Sequence, residues 1–384
     1  MPQLRNGIEK FIERPPDCQR AVFIGNASIY DRAGIPVYRV LKEVLGKKLS
    51  AAWSLQHGFF HDRQDNMLYS PSFFWPGLEL PVLSLYAETP LPADEWLSGV
   101  DLLIVDLHDV GTRVYTYLNH LLLIMRHLDG RCPRLLILDR ANPLDGITIE
   151  GNRLQPEYFS MVGQLPLPMR HGLTVAEFLL YGRAYHGLNL EIELLKISGW
   201  RRSDLFRGPW APPSPNLPDL GSALLYPGAV MLEGANLSEG RGTTRPFYFC
   251  GAPFLDGEEL VHEMSYAKFP GVEFRPVFFT PEFGKYAGLH CRGLLFGVSR
   301  PAELRSFALF YELLRLVRKK HTADFRWNEQ AYEFEKDRPA IDLISGSPQI
   351  RLAIEADCPF VELAEQIRRE REAYLEEVQP YLLY

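Results

Sequence analysis

No apolar run in the sequence approaches the roughly 18 residues that a membrane-crossing helix needs, and the opening segment MPQLRNGIEKFIERPPD is too polar for a signal-peptide core. A soluble, cytoplasmic protein without a membrane partner is therefore expected. Cysteine is scarce. Cys18, Cys132, Cys250, Cys291 and Cys358 are odd in number, widely spaced and free of any CxxC pair, which argues against a disulfide framework and a thiolate zinc site and for a reducing compartment. Charge of one sign is lacking too: 41 basic against 48 acidic residues give a net charge of -7 with no basic stripe to hold phosphates, so nucleic acid is not an expected partner. There is no internal repeat and no low-complexity tract.

Several catalytic signatures are also missing. No GxGxxG follows the first apolar run, no P-loop lysine accompanies the glycines of SEGRGTTRPF, and no GxSxG elbow occurs. His57 and His61 in LQHGFFHD stand at i and i+4, but Gly58 and the preceding strand pattern place them on a loop, where that spacing does not converge on a metal as it does on a helix. No metal and no cofactor are expected.

What is present suggests an α/β architecture. At 384 residues the chain exceeds what one core usually organises. Short apolar runs alternate with helical patterns in the first half, the mark of a parallel sheet with crossover helices. RAVFIGN, LSAAWSL, DLLIVDL and RLLILDR are the expected strands; VYRVLKEVL and TYLNHLLLIMRHL are the expected helices. The proline-rich SPSFFWPGLELPVLSLYAETPLP between the second and third strands suggests a surface excursion. Thr174 and Glu177 form a capping-box pattern before VAEFLLYGRAY, EIELLKI is a further strand, and PWAPPSPNLPDL is a loop stiffened by five prolines. Past EGANLSEGRGTTRPF, two long strand patterns precede two amphipathic helices, so a Rossmann-like domain over 1–248 and a smaller α+β domain over 249–384 are expected.

Ligands of open parallel sheets bind beyond the carboxyl ends of the strands. The residues that follow the four strands are Asn26; Gln56 and His57; Asp106, His108 and Asp109 with Arg113; and Asp139, Arg140 and Asn142. Turns need polar residues in any case, yet four strands delivering them to one edge points to a site. In SEGRGTTRPF, Gly240 and Gly242 can expose backbone N–H groups while Arg241 and Arg245 orient an anion or a sugar; an interdomain salt-bridged loop is the alternative. Acid/base chemistry by carboxylates, with aromatic platforms from Trp53, Tyr115, Tyr117, Trp200 and Trp210, suits a carbohydrate ligand.

The stretches LQHGF, LIVDLHDVGTRVYTYL, LILDRANPLDGITIEGN, MRHGLTVAEF, SPNLP, YPGAVMLEGANLSEGRGTTRPF followed by GAP, and the terminal YLLY resemble, in order and over nearly the whole chain, the NamZ-type exo-β-N-acetylmuramidases. The resemblance implies a Rossmann-like domain joined to a smaller one with the sugar site in the cleft between them, and removal of terminal β-linked N-acetylmuramic acid from peptidoglycan fragments without nicotinamide or metal. It adds His171 and Asn236 as candidate substrate-binding residues and Glu239 as a candidate catalytic one. It also exposes a departure. Where the family commonly has S-P-E-H-G, this chain has SLQHG, so the expected catalytic glutamate is Gln56, which can hydrogen-bond but cannot donate a proton as an acid. Three readings follow. Asp106, Asp109 or Glu239 supplies the acid; or Gln56 orients an acetamido group in substrate-assisted hydrolysis; or the protein binds muropeptides without cleaving them. Restoring the carboxyl by Gln56→Glu is expected to raise turnover if only the acid has been lost.

Overall fold

The computed structural model describes residues 4–64, 67–86, 89–131 and 133–384; Cys132 lies outside the described residues. Among the described residues, ten strands form two sheets. β1 (Ala21–Ile24), β2 (Leu49–Ser54), β3 (Phe73–Trp75), β4 (Leu80–Ser84), β5 (Leu102–Val105), β6 (Arg134–Leu138) and β7 (Ile192–Leu195) make a seven-stranded sheet in the order β3-β4-β2-β1-β5-β6-β7. All pairings but β3 with β4 are parallel. The central strands are unbroken apolar runs because both faces are covered: every residue of β1 and β5 is buried. The helices Val37–Leu45 and Thr116–His127 lie where the 3.6-residue spacing places them.

One expectation fails here. The proline-rich stretch after β2 is not wholly a surface excursion, because β4 pairs directly with β2 and buries Leu80 and Val82. Proline is tolerated since the β2 ladder begins at Val82, one residue past Pro81, so no ladder N–H is missing.

The antiparallel second sheet comprises β8 (Phe249–Ala252), β9 (Val272–Phe279) and β10 (Cys291–Val298), in the order β8-β10-β9. Beside it the helix Ser306–Lys320 packs against Leu220–Ala229 so closely that a Cβ on Gly228 would lie 2.0 Å from the Ser306 carbonyl oxygen. The last long helix, Phe360–Val378, returns to the first domain. Its Tyr374 hydroxyl donates to the His171 carbonyl at 2.6 Å, and beyond it the Tyr384 hydroxyl donates to Asp139 at 2.7 Å.

Candidate active site

Because β1, β2, β5 and β6 are parallel, the residues that follow them lie along one edge of the sheet. They do not share one cleft. The Pro212–Asn216 part of the proline-rich loop is fastened over this edge by the Tyr115 hydroxyl, which donates to the Pro213 carbonyl at 2.6 Å, by Tyr117, which donates to the same carbonyl at 3.1 Å, and by Asn216, which donates to the Gln64 carbonyl. Ser214 and Asn216 line one pocket, whereas Pro213 lines another.

The first pocket takes Gln56, His57, Tyr115 and Thr116 from the large sheet domain, and Tyr226, Glu233, Arg241, Tyr332 and Glu333 from later in the chain. Gln56 and His57 reach it because the chain turns sharply after β2, with His57 at φ 68° and Gly58 at φ 75°. Thr116 opens the helix Thr116–His127, and its hydroxyl donates to the side-chain amide oxygen Oε1 of Gln56. The Gln56 amide nitrogen is thereby aimed at Glu333, donating to Oε1 at 2.9 Å, while the Tyr86 hydroxyl donates to Oε2 at 2.9 Å. Burial pushes the Glu333 carboxyl up to about 7, with Tyr86, Gln56 and Arg241 opposing and Glu233 reinforcing.

Glu233 sits in the short helical turn Val230–Gly234. It accepts from Arg241 at 2.6 Å and from the Tyr332 hydroxyl at 2.8 Å. Arg241 is turned inward between Gly240 (φ 80°) and Gly242 (φ 77°); a Cβ on Gly242 would come within 2.5 Å of the Phe283 carbonyl oxygen. The guanidinium also reaches Glu239 at 3.2 Å and lies over the Phe247 ring, 5.0 Å from its centre. Lys285 holds the other oxygen of Glu239 at 3.2 Å. Glu239 therefore stands behind Arg241 rather than lining the cleft, and Arg241 is already engaged by two carboxylates.

The second pocket is lined by His108, Asp109, Arg140, Phe206, Trp210 and Pro213 among others. Asp109 accepts from the Gly111 N–H at 2.6 Å, and its Oδ1 has no partner among the described residues. Burial pushes it up to about 7. His171 lies 3.8 Å away, held down to about 3 by burial.

The remaining sequence candidates lie outside the first pocket. Asp106 is wholly buried beneath a two-pronged contact from Arg140, and burial raises its carboxyl above the usual range. Asp139 accepts from the Arg140 and Ala176 N–H groups and from the Thr174 and Tyr384 hydroxyls, fastening the start of the helix Val175–Tyr185; the Thr174–Glu177 capping box is present there. Asn26 accepts from Ser28, and Asn142 bridges Leu144 and Leu173. Arg113 donates to the carbonyls of Asn152, Leu167 and Ile344, pinning the two parts of the chain together. Asn236 binds the backbone of Asp324 and Arg326. Arg245 is exposed on a different groove, over the Tyr248 ring. Trp53 and Tyr117 are buried, and Trp200 packs on Tyr384. His57 and His61 do not converge: His57 Nδ1 meets the Arg63 carbonyl at 2.8 Å and His61 Nε2 meets the Tyr117 hydroxyl at 2.9 Å.

Glu333 and Glu233 escape a search along strand ends. Neither follows a strand, and nothing in AYEFE marks the turn that holds Glu333.

Titration of the buried groups sets a pH dependence of stability. Burial, the leading cause in each case, holds His57, His108 and His171 down to about 3 and His61 and His120 to about 4. Between those values and the unfolded value near 6.5 the unfolded chain binds more protons, so stability falls on acidification. Asp109, Asp139 and Glu333, raised to about 7, act oppositely, contributing stability below about 4 that is lost as pH rises through 7. With His186 also lowered by burial and Asp106 and Asp342 also raised by it, six groups stand against five and leave the histidines dominant. The urea midpoint is expected to drop from pH 6.5 to pH 4.5, each net proton being worth about 1.4 kcal/mol per pH unit; a midpoint that rises over that interval would contradict the burial of these rings.

Comparison with known proteins agrees with this architecture. The model for the N-terminal part of exo-β-N-acetylmuramidase NamZ matches residues 21–221, and that for its C-terminal part matches residues 224–384. The chain is 32% identical over 340 residues to the peptidoglycan β-N-acetylmuramidase NamZ of Bacillus subtilis (strain 168), covering 88% of this chain and 80% of that one. Two crystal structures of DUF1343 family proteins from Bacteroides fragilis NCTC 9343 are each 26% identical. One superimposes with a TM-score of 0.87 over 99% of both chains, the other with 0.76 over 100% of this chain and 99% of that one. The two family models together cover the sheet domain, the cleft and the smaller domain, and the chain belongs to the NamZ exo-β-N-acetylmuramidase family.

Proposed function

We propose that this protein is a glycosidase that releases terminal β-linked N-acetylmuramic acid from the non-reducing end of peptidoglycan fragments, in the cleft lined by Gln56, Glu233, Arg241 and Glu333. The observation that carries this reading, in a chain of this family, is a pair of carboxyl groups in one cleft with unlike surroundings. Glu333 meets only uncharged donors, Gln56 and Tyr86, whereas Glu233 is ion-paired with Arg241. Two carboxyl groups held in unlike surroundings in one cleft are what glycoside hydrolysis uses. Four described cysteines are free, which fits a reducing compartment, so fragments brought into the cytoplasm rather than the intact wall are the proposed substrates.

The test is direct. Purified protein should liberate nitrophenol from a 4-nitrophenyl β-N-acetylmuramide and leave the corresponding N-acetylglucosaminide largely intact. Failure to release muramic acid from either the chromogenic glycoside or a muropeptide would sink the hydrolase. Gln56 favours one second reading, a muropeptide binder without turnover, and calorimetric binding with no release would establish it.

A further inference from the structure

Cleaving a glycoside requires a proton for the departing oxygen, and the amide at position 56 has none to give. The group to which that amide is tied does. Gln56 Nε2 and the Tyr86 hydroxyl hold the two oxygens of Glu333 at 2.9 Å each, and the carboxyl lines the cleft. The backbone that carries it is unusual. Tyr332 and Glu335 exchange main-chain hydrogen bonds at 2.9 and 3.0 Å across a two-residue turn whose central residues, Glu333 and Phe334, have φ of 47° and 69°. Turns with two left-handed central residues ordinarily carry Asn-Gly or a similar pair. Here a glutamate and a phenylalanine occupy those seats, a backbone conformation that side chains with a Cβ rarely adopt. Phe334 lies on the outer side, stacked on Tyr69 with ring centres 5.8 Å apart and tilted against Tyr86, which leaves Glu333 turned inward.

We infer, on the reading that this cleft hydrolyses muramic glycosides, that Glu333 is the catalytic acid of this chain and that Gln56 and Tyr86 are its positioning residues. In the reaction the Glu333 proton passes to the bridging oxygen, and the C1–O bonding pair leaves with that oxygen. Water forms the new bond at C1. The proton it gives up returns the Glu333 carboxylate to its acid form, so one water is consumed and the carboxyl is unchanged.

The groups that face Glu333 set its proton affinity: Gln56 from the loop after β2, Tyr86 from beyond β4, Glu233 and Arg241 across the cleft, and Tyr226 and Tyr332 with phenols that burial keeps uncharged. The carboxyl, raised to about 7 chiefly by burial, holds its proton far closer to neutral pH than an exposed glutamate does, which suits a general acid.

The experiment compares two aryl β-N-acetylmuramides, a phenyl glycoside that needs protonation and a 2,4-dinitrophenyl glycoside that does not. In Glu333→Gln, kcat/KM for the phenyl glycoside is expected to fall about 10²- to 10⁴-fold while the dinitrophenyl glycoside is largely spared. The alkaline limb of the pH profile near 7 should disappear. Tyr86→Phe and Gln56→Met each remove a donor that favours the ionised carboxyl, so each should move that limb to higher pH while preserving the dependence on leaving group. Equal losses on both glycosides, or an alkaline limb that persists in Glu333→Gln, would overturn the assignment. A wild type that hydrolyses both while Glu333→Gln matches it would remove the acid and leave the enzyme reading standing. A wild type that releases muramic acid from nothing would remove both.

Discussion

Arg241→Met is expected to cost about 3–5 kcal/mol of folding stability, the range for breaking a buried ion pair by removing one partner. The guanidinium is only 13% exposed and its two carboxylates 6% each, so little water is available to take its place. Glu239 would keep Lys285 and Glu233 would keep the Tyr332 hydroxyl, but the inner charge of the cleft would be uncompensated. Adding Glu233→Gln to Arg241→Met should recover part of the loss, because the second change removes the stranded charge instead of a second contact. Urea unfolding of the two single variants and the double variant measures this. A loss below about 1 kcal/mol in Arg241→Met would mean that the pair behaves as a solvated surface contact and that the cleft is more open than its geometry indicates.

The second large effect is expected where chemistry is not. Asp106→Ala should also cost about 3–5 kcal/mol, since it strands Arg140, 6% exposed, with the Tyr30 carbonyl as its remaining partner at 3.1 Å. Replacing both residues by leucine should cost much less, as apolar replacement of an entire buried pair is often near neutral. Below its melting temperature the double variant should retain hydrolysis of a muramic glycoside, because neither side chain lines the cleft that holds Glu333. Loss of turnover in a well-folded double variant would return Asp106 to the list of catalytic candidates.

These two expectations also mark how far the sequence was informative. The sheet is legible because parallel strands covered on both faces must be apolar throughout, and β1, β2, β5 and β6 all stand out for that reason. β3 and β4 do not, because β3 is only three residues long and β4 carries Pro81 just ahead of its β2 ladder. The position of the site at the carboxyl edge follows from topology, and Gln56, His57, Tyr115 and Arg241 do line the cleft. A polar residue at a strand end, however, is also the residue best placed to fasten the next element. Asn26, Asp139 and Asn142 are used that way, and nothing in the letters separates that use from ligand binding. Glu233 and Glu333 are hidden for the opposite reason. One follows a helix and the other occupies a left-handed turn without glycine or asparagine, so the rules that locate turns pass over it.

The hydrogen bond between Gln56 and Glu333 spans 277 residues of chain. At ribosomal rates of about 5–20 residues per second, synthesis of that interval takes roughly 15–55 s. During that time the parallel sheet can already be assembling with its loop after β2 in place, yet the turn that completes the cleft does not exist. Until that interval is complete, the cleft lacks the wall that Tyr332 and Glu333 supply. A single protease cut near Phe334, a residue 44% exposed, would release the same wall of the cleft in the finished protein while leaving every strand of the large sheet uncut.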